Sequence, residues 1–214
     1  MIRIALGITL LASTAIAQTA PPLPTVTNGL QAAAAPAGVP ERVRGTVTGL
    51  NGAVLSVKSR DDRMVQIALA EPIVVAAVVP AKLSDAKPGA YIGAAATGPR
   101  DKLRALEVLI FPEAMRGTGE GHYPWDLVPE STMTNATIES EVSGIDGRTL
   151  TVFAKGERLT MTVPADVPVV TFEPGTAAML TPGAHVSVGA TRQPDGTLRA
   201  ARVNVGKDGL MPPM

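Results

Sequence analysis

The residues with the most chemistry to offer stand close together. Phe111 to Asp126, FPEAMRGTGEGHYPWD, holds one of the chain's two histidines, its only tryptophan and one of its two tyrosines, with glycines at 117, 119 and 121. The imidazole of His122 and the thioether of Met115, with Met133 or the tail residues Met211 and Met214, would suit copper(I) in a chain without cysteine. Methionine-rich copper tracts cluster their thioethers, and here they are scattered. The plainer reading is that Phe111, Tyr123 and Trp125 bury this stretch against the scaffold, with His122 hydrogen-bonded or solvated. Phosphate-cradling loops also follow a strand with spaced glycines, but they open a helix. Here Pro124 follows instead, with no Lys-Ser/Thr pair.

Other chemistry is thinner. No cysteine, no Gly-x-Ser-x-Gly elbow and only two histidines leave nucleophilic catalysis little to work with. Nothing selects a pair of carboxylates, so the chain reads as a non-enzyme with no cofactor required, copper being the alternative. His185 reads as a half-exposed strand residue, Arg60 to Arg63 as a solvated turn, and Asn135-Ala136-Thr137 as a glycosylation pattern too common to count.

The elements that must position these residues begin after a leader. MIRIALGITLLASTAIA, residues 1–17, has Arg3, an apolar run and Ala15-Ile16-Ala17, the pattern of a secretory signal peptide cleaved before Gln18. The mature chain is then expected to be periplasmic or secreted and soluble. Without Arg3 the balance is 18 basic to 19 acidic residues, so bulk charge attracts neither nucleic acid nor an anionic membrane. OB-type barrels that hold single strands need basic grooves and stacking aromatics, and this chain has six aromatic residues in all. No later apolar run reaches the roughly 20 residues of a membrane-spanning helix.

Residues 18–41, rich in Pro and Ala, read as a disordered lead-in. Beyond them an internal repeat organises the chain. VRGTVTGLNGAVLSV, 43–57, matches IESEVSGIDGRTLTV, 138–152, pairing Val47 with Val142, Gly52 with Gly147, Leu55 with Leu150 and Val57 with Val152. Further on Val75 matches Val169, Pro80 matches Pro174, Pro88-Gly89 matches Pro182-Gly183, and Leu103-Arg104-Ala105 matches Leu198-Arg199-Ala200. Asn51-Gly52 and Asp146-Gly147 mark tight hairpins. Val65, Ile67, Leu69 and Leu159, Met161, Val163 alternate as half-buried strands. Five or six short strands per copy are best closed on themselves, which removes exposed edges. The expected fold is all-β: two tandem small OB-like β-barrels, repeat 1 over 42–111 and repeat 2 over 138–206, joined by an irregular connector, 112–137, and followed by a tail, 207–214.

The opening Gly45-x-Val47-x-Gly49-Leu50-Asn51-Gly52, the Lys87-Pro88-Gly89 turn and the closing Leu-Arg-Ala resemble those of bacterial exported proteins built on a small β-barrel domain of unknown function. The connector resembles that of a narrower alphaproteobacterial group, some members of which carry the label metal transporter permease. A permease must cross the bilayer, and no segment here is long enough to do so as a helix. Ser140 stands where the second copy should repeat Gly45. The resemblance implies an exported barrel protein and no particular ligand.

The functional surface is expected in the cleft between the repeats, floored by the connector and lined by Arg116, Glu120, His122, Trp125 and Asp126. Its partner would be a small ligand or another envelope protein.

Overall fold

The computed structural model describes residues 38–144 and 147–213. The expected leader and lead-in residues 18–37 lie outside this range. Twelve strands form one hydrogen-bonded system: β1 Val39–Asn51, β2 Val54–Ser59, β3 Met64–Pro80, β4 Tyr91–Thr97, β5 Leu103–Ile110, β6 Gly121–Pro124, β7 Thr132–Gly144, β8 Gly147–Ala154, β9 Glu157–Val163, β10 Val169–Pro174, β11 His185–Arg192 and β12 Leu198–Gly206. The fold is all-β, as the alternation and hairpin signals require. Its only helical pieces among the described residues are three-residue 3₁₀ turns, and no helix is long and apolar enough to cross a membrane.

Two five-stranded barrels close. The first runs β1-β2-β3-β12-β11 and back to β1, closed by the parallel pairing of β3 with β12. The second runs β4-β5-β9-β8-β7 and back to β4, closed by the parallel pairing of β5 with β9. Neither expected repeat closes a barrel by itself. Repeat 1 supplies three strands to the first barrel and β4-β5 to the second, while repeat 2 supplies β7-β9 to the second and β11-β12 to the first. The length of β3 accounts for this exchange. Seventeen residues of extended chain reach on the order of 50 Å, more than the wall of a small barrel, so the strand carries the next hairpin across to the other barrel. In repeat 2 the same stretch is split by Pro164 and Pro168 into β9 and β10.

Each barrel is filled by its own aliphatic cluster. Val47, Leu55, Val57, Ile67, Val188 and Val203 belong to the first, and Ile92, Ala94, Leu103, Ile138, Leu150 and Met161 to the second. A fully buried Val, Leu or Ile contributes roughly 1.5–3 kcal/mol. A third cluster, Ala76, Val78, Leu109, Met115, Val170 and Phe172, lies between them. There β10 joins the barrels, antiparallel to β3 and parallel to β5.

Strand register corrects one part of the sequence match. Val57 pairs with Val47 in the first barrel, and its counterpart Val152 pairs with Ile138, not Val142. Val47 and Ile138 are both buried, whereas Val142 is 66% exposed. Between these matched pairs the second hairpin is four residues longer than the first, so matching the copies at their turn glycines misaligns the strand before the turn. The counterpart of Gly45 is therefore Ala136 rather than Ser140, since Gly45 pairs with Val186 and Ala136 with the matching Ile92. Strand β1 also starts earlier than expected, because Val39 to Glu41 of the lead-in pair with Arg192 to Ala190.

Candidate functional site

The connector is structured. After β5 it makes a 3₁₀ turn, Glu113–Met115, then returns as β6 along the outer edge of β7, with Gly121 opposite Asn135 and Tyr123 opposite Met133. Alternation on β7 sends Ala136 and Ile138 into the second barrel, so Met133 and Asn135 face the junction. By strand register their counterparts on β1 are Arg42 and Arg44. Trp125 sits between these two pairs. The Arg42 guanidinium stacks 3.5 Å from its ring centroid, Tyr123 meets it edge-on at 6.0 Å, and neighbouring Asp126 accepts from Arg44 at 2.9 and 3.1 Å and from Arg42 at 3.4 Å. The carboxyl of Asp126 is held below the ordinary range, first by the Arg44 hydrogen bonds.

Under Trp125 lies a cavity of about 260 Å³ at the barrel junction. Its apolar wall is Leu109, Phe111, Met115, Met133 and Phe172, and its polar groups come from Thr118, Trp125, Asn135, Arg202 and Asn204. Asn135, 7% exposed, is fixed in orientation because its Nδ2 donates to Thr118 O at 3.1 Å and to Tyr123 Oη at 3.3 Å. Glycine is required around it. A Cβ on Gly93 would lie 2.7 Å from Asn135 Oδ1 and 3.0 Å from the Phe111 ring, and one on Gly119, at φ +58°, 2.9 Å from Asn135 Nδ2. Trp125 Nε1 and Asn135 Oδ1, fully buried atoms of two of the lining residues, have no hydrogen-bond partner among the described residues. The Arg202 guanidinium donates to Asn204 Oδ1 at 2.9 Å and to Met115 Sδ at 3.4 Å and lies 4.9 Å from the Phe172 ring centroid; burial pushes it down to about 10.

Of the expected lining residues, the structure places Trp125 on the cavity and does not bring the other four to it. Arg116 pairs with Glu113 and donates to Gly89 O at 2.9 Å, Glu120 accepts from Lys155 N at 3.0 Å, and Asp126 clamps Arg42 and Arg44. His122 points to the other face of the β6-β7 ribbon, its Nδ1 2.8 Å from Thr134 Oγ1, and burial lowers its pKa. The two donors of the copper alternative therefore part company: Met115 is on the cavity and receives an Arg202 N–H, while His122 is not on it. Among the described residues no three His, Cys, Asp or Glu side chains gather as a metal site.

Sequence reasoning missed Leu109, Phe172, Arg202 and Asn204, on strands that read as scaffold, and Asn135, at the end of a connector that read as irregular. The available signal was polarity inside otherwise apolar strands. A larger groove, about 580 Å³, opens on the first barrel beside the Glu41–Arg192 ion pair, but none of the orphaned polar atoms lies on it. The chain matches no family model, no curated protein and no solved structure.

Proposed function

We propose that the protein is an exported binding module of the cell envelope that holds a small molecule in the cavity where its two barrels meet. One observation carries this reading. Leu109, Phe111, Met115, Met133 and Phe172 wall a cavity of about 260 Å³ to which Thr118, Trp125, Asn135, Arg202 and Asn204 bring a few polar groups, the mixture of apolar surface and sparse hydrogen-bonding side chains that small-molecule sites show. The volume sits near the low end of ligand pockets, which run from about 300 Å³ upward, so the occupant is small. Hydrogen-bonding groups and apolar surface, without a carboxylate or imidazole on the wall, favour holding over turnover. The leader sequence and the resemblance to exported barrel proteins support the envelope location.

The single tryptophan makes the test direct, because the chain gives one indole N–H resonance. In a nitrogen–proton correlation spectrum of the mature protein, ring-containing neutral fragments are expected to move that resonance saturably. If a broad fragment set leaves it in place while shifting resonances elsewhere, the junction cavity is not the binding site.

A further inference from the structure

Resting on that reading, we infer that the ligand is a small monocarboxylic acid bound as its anion, its carboxylate on Arg202 and Asn204 and its apolar body on the inner wall of the junction cavity. Val203 and Val205 of β12 fill the first barrel, so alternation turns Arg202 and Asn204 outward to the junction. Both are half-buried, as are Thr118 and Trp125, while Leu109, Met115, Met133 and Phe172 are buried. A ligand entering the cavity therefore meets polar side chains first and apolar ones behind them.

The polar corner on β12 offers donors. Arg202 Nε donates to Asn204 Oδ1 at 2.9 Å, which fixes the amide with its oxygen toward the guanidinium, and Asn204 Nδ2 donates to no described residue. Guanidinium and amide N–H groups side by side call for an acceptor, and a carboxylate brings two oxygens in one plane. Charge points the same way. Among the described residues Arg202 is the only charged one lining the cavity. Burial pushes its guanidinium down to about 10, so it remains a cation at neutral pH in surroundings that disfavour one, and an anion beside it offsets that cost. A cationic ligand would find no carboxylate on this wall, and a diacid would find no second basic group.

Benzoate, benzamide and benzylamine, alike in shape and different in charge, test this on the mature protein, read by the Trp125 indole resonance and by calorimetry. Benzoate is expected to bind about tenfold or more tightly than benzamide, the factor that follows from one hydrogen bond to a charged group, and benzylamine most weakly. Arg202→Gln is expected to bring benzoate down to the benzamide level. Asn204→Asp keeps the side chain's shape and gives Arg202 a carboxylate within the protein, so it is expected to expel benzoate, and it serves where the first variant folds poorly. Benzamide binding as tightly as benzoate at Trp125 overturns the inference and leaves the cavity reading standing. A benzoate preference that survives both substitutions also overturns it, because the charge is then recognised elsewhere. Where neither these probes nor any neutral ring fragment moves the indole resonance, the proposed site fails with it.

Discussion

Val78 and Phe172 face each other across β3 and β10 at the point about which the whole strand pattern is symmetric. Each is the counterpart of the other in the two copies. The pairs on either side follow suit, since Ala76 opposite Pro174 maps onto Val170 opposite Pro80. The parallel pairings obey the same rule, Val203 of β12 with Val75 of β3, and Val108 of β5 with Val169 of the joining strand β10. This near-dyad fastens the two barrels by backbone hydrogen bonds as well as by the apolar cluster around Phe172.

Because each barrel takes strands from both copies, the barrels should not melt separately. Denaturant unfolding followed by far-ultraviolet circular dichroism and by Trp125 fluorescence is expected to give one coincident transition. Phe172→Ala should lower stability by about 3–5 kcal/mol, the range for a buried aromatic, and lower both signals together. Two separated transitions would contradict the exchange.

Glu107 is expected to write a pH dependence into that stability. It is 2% exposed, and burial raises its carboxyl to about 7 against the opposing pull of Arg44 and Arg60. Between the ordinary 4.5 and about 7 the native state holds a proton that the unfolded chain has released, so this group's contribution falls as pH rises through that window. The loss amounts to at most about 3 kcal/mol. Glu107→Gln should flatten the curve there and be more stable than the parent at pH about 8, with the two alike at the acid end. Parallel curves for both proteins would remove Glu107 as the cause.

Asp126 and Arg42 hold Trp125 in place. Half of the Asp126 side chain is exposed, as is 38% of that of Arg42, so that pair contributes under about 1 kcal/mol, whereas the two hydrogen bonds from Arg44, whose side chain is 10% exposed, matter more to the fold. Asp126→Asn is expected to lower stability chiefly through the Arg44 guanidinium it leaves less well paired, and to shift the emission of Trp125 as Arg42 loosens from the indole face. An unchanged spectrum would mean that the stack stands without the carboxylate.

Gly93→Ala probes the cavity from behind. The added methyl meets Asn135 Oδ1 and the Phe111 ring at once. A cost of about 1–3 kcal/mol is expected, with a displaced indole resonance for Trp125 and weakened fragment binding. Wild-type binding by a destabilised variant would place the ligand elsewhere.

Much of the fold was legible because period-two alternation and turn residues are local signals. Val65, Ile67 and Leu69 announce a strand with one buried face whatever it packs against. For the same reason the exchange of strands was not legible: burial of Leu198 or Val203 reads identically whether the wall it completes is built from its own copy or from the other. The hairpin mismatch has a similar origin. Asn51-Gly52 and Asp146-Gly147 look equivalent as turns, while the difference lies in how far each ribbon extends before turning. At the site, Trp125 stood out by being unique. Asn135 had been set aside as part of a glycosylation pattern, and its meaning came only from facing Met133 and Tyr123 across a ribbon that carries it under the indole.

The reciprocal strand exchange also bears on how such a chain can change over generations. Once duplicated halves complete each other's walls, losing either would open both structures, so reversion to a single unit is barred without a wholesale refit. Residues on the shared seam meanwhile need not repeat, as Phe172 set opposite its own counterpart Val78 shows, a divergence that two self-sufficient modules would not require.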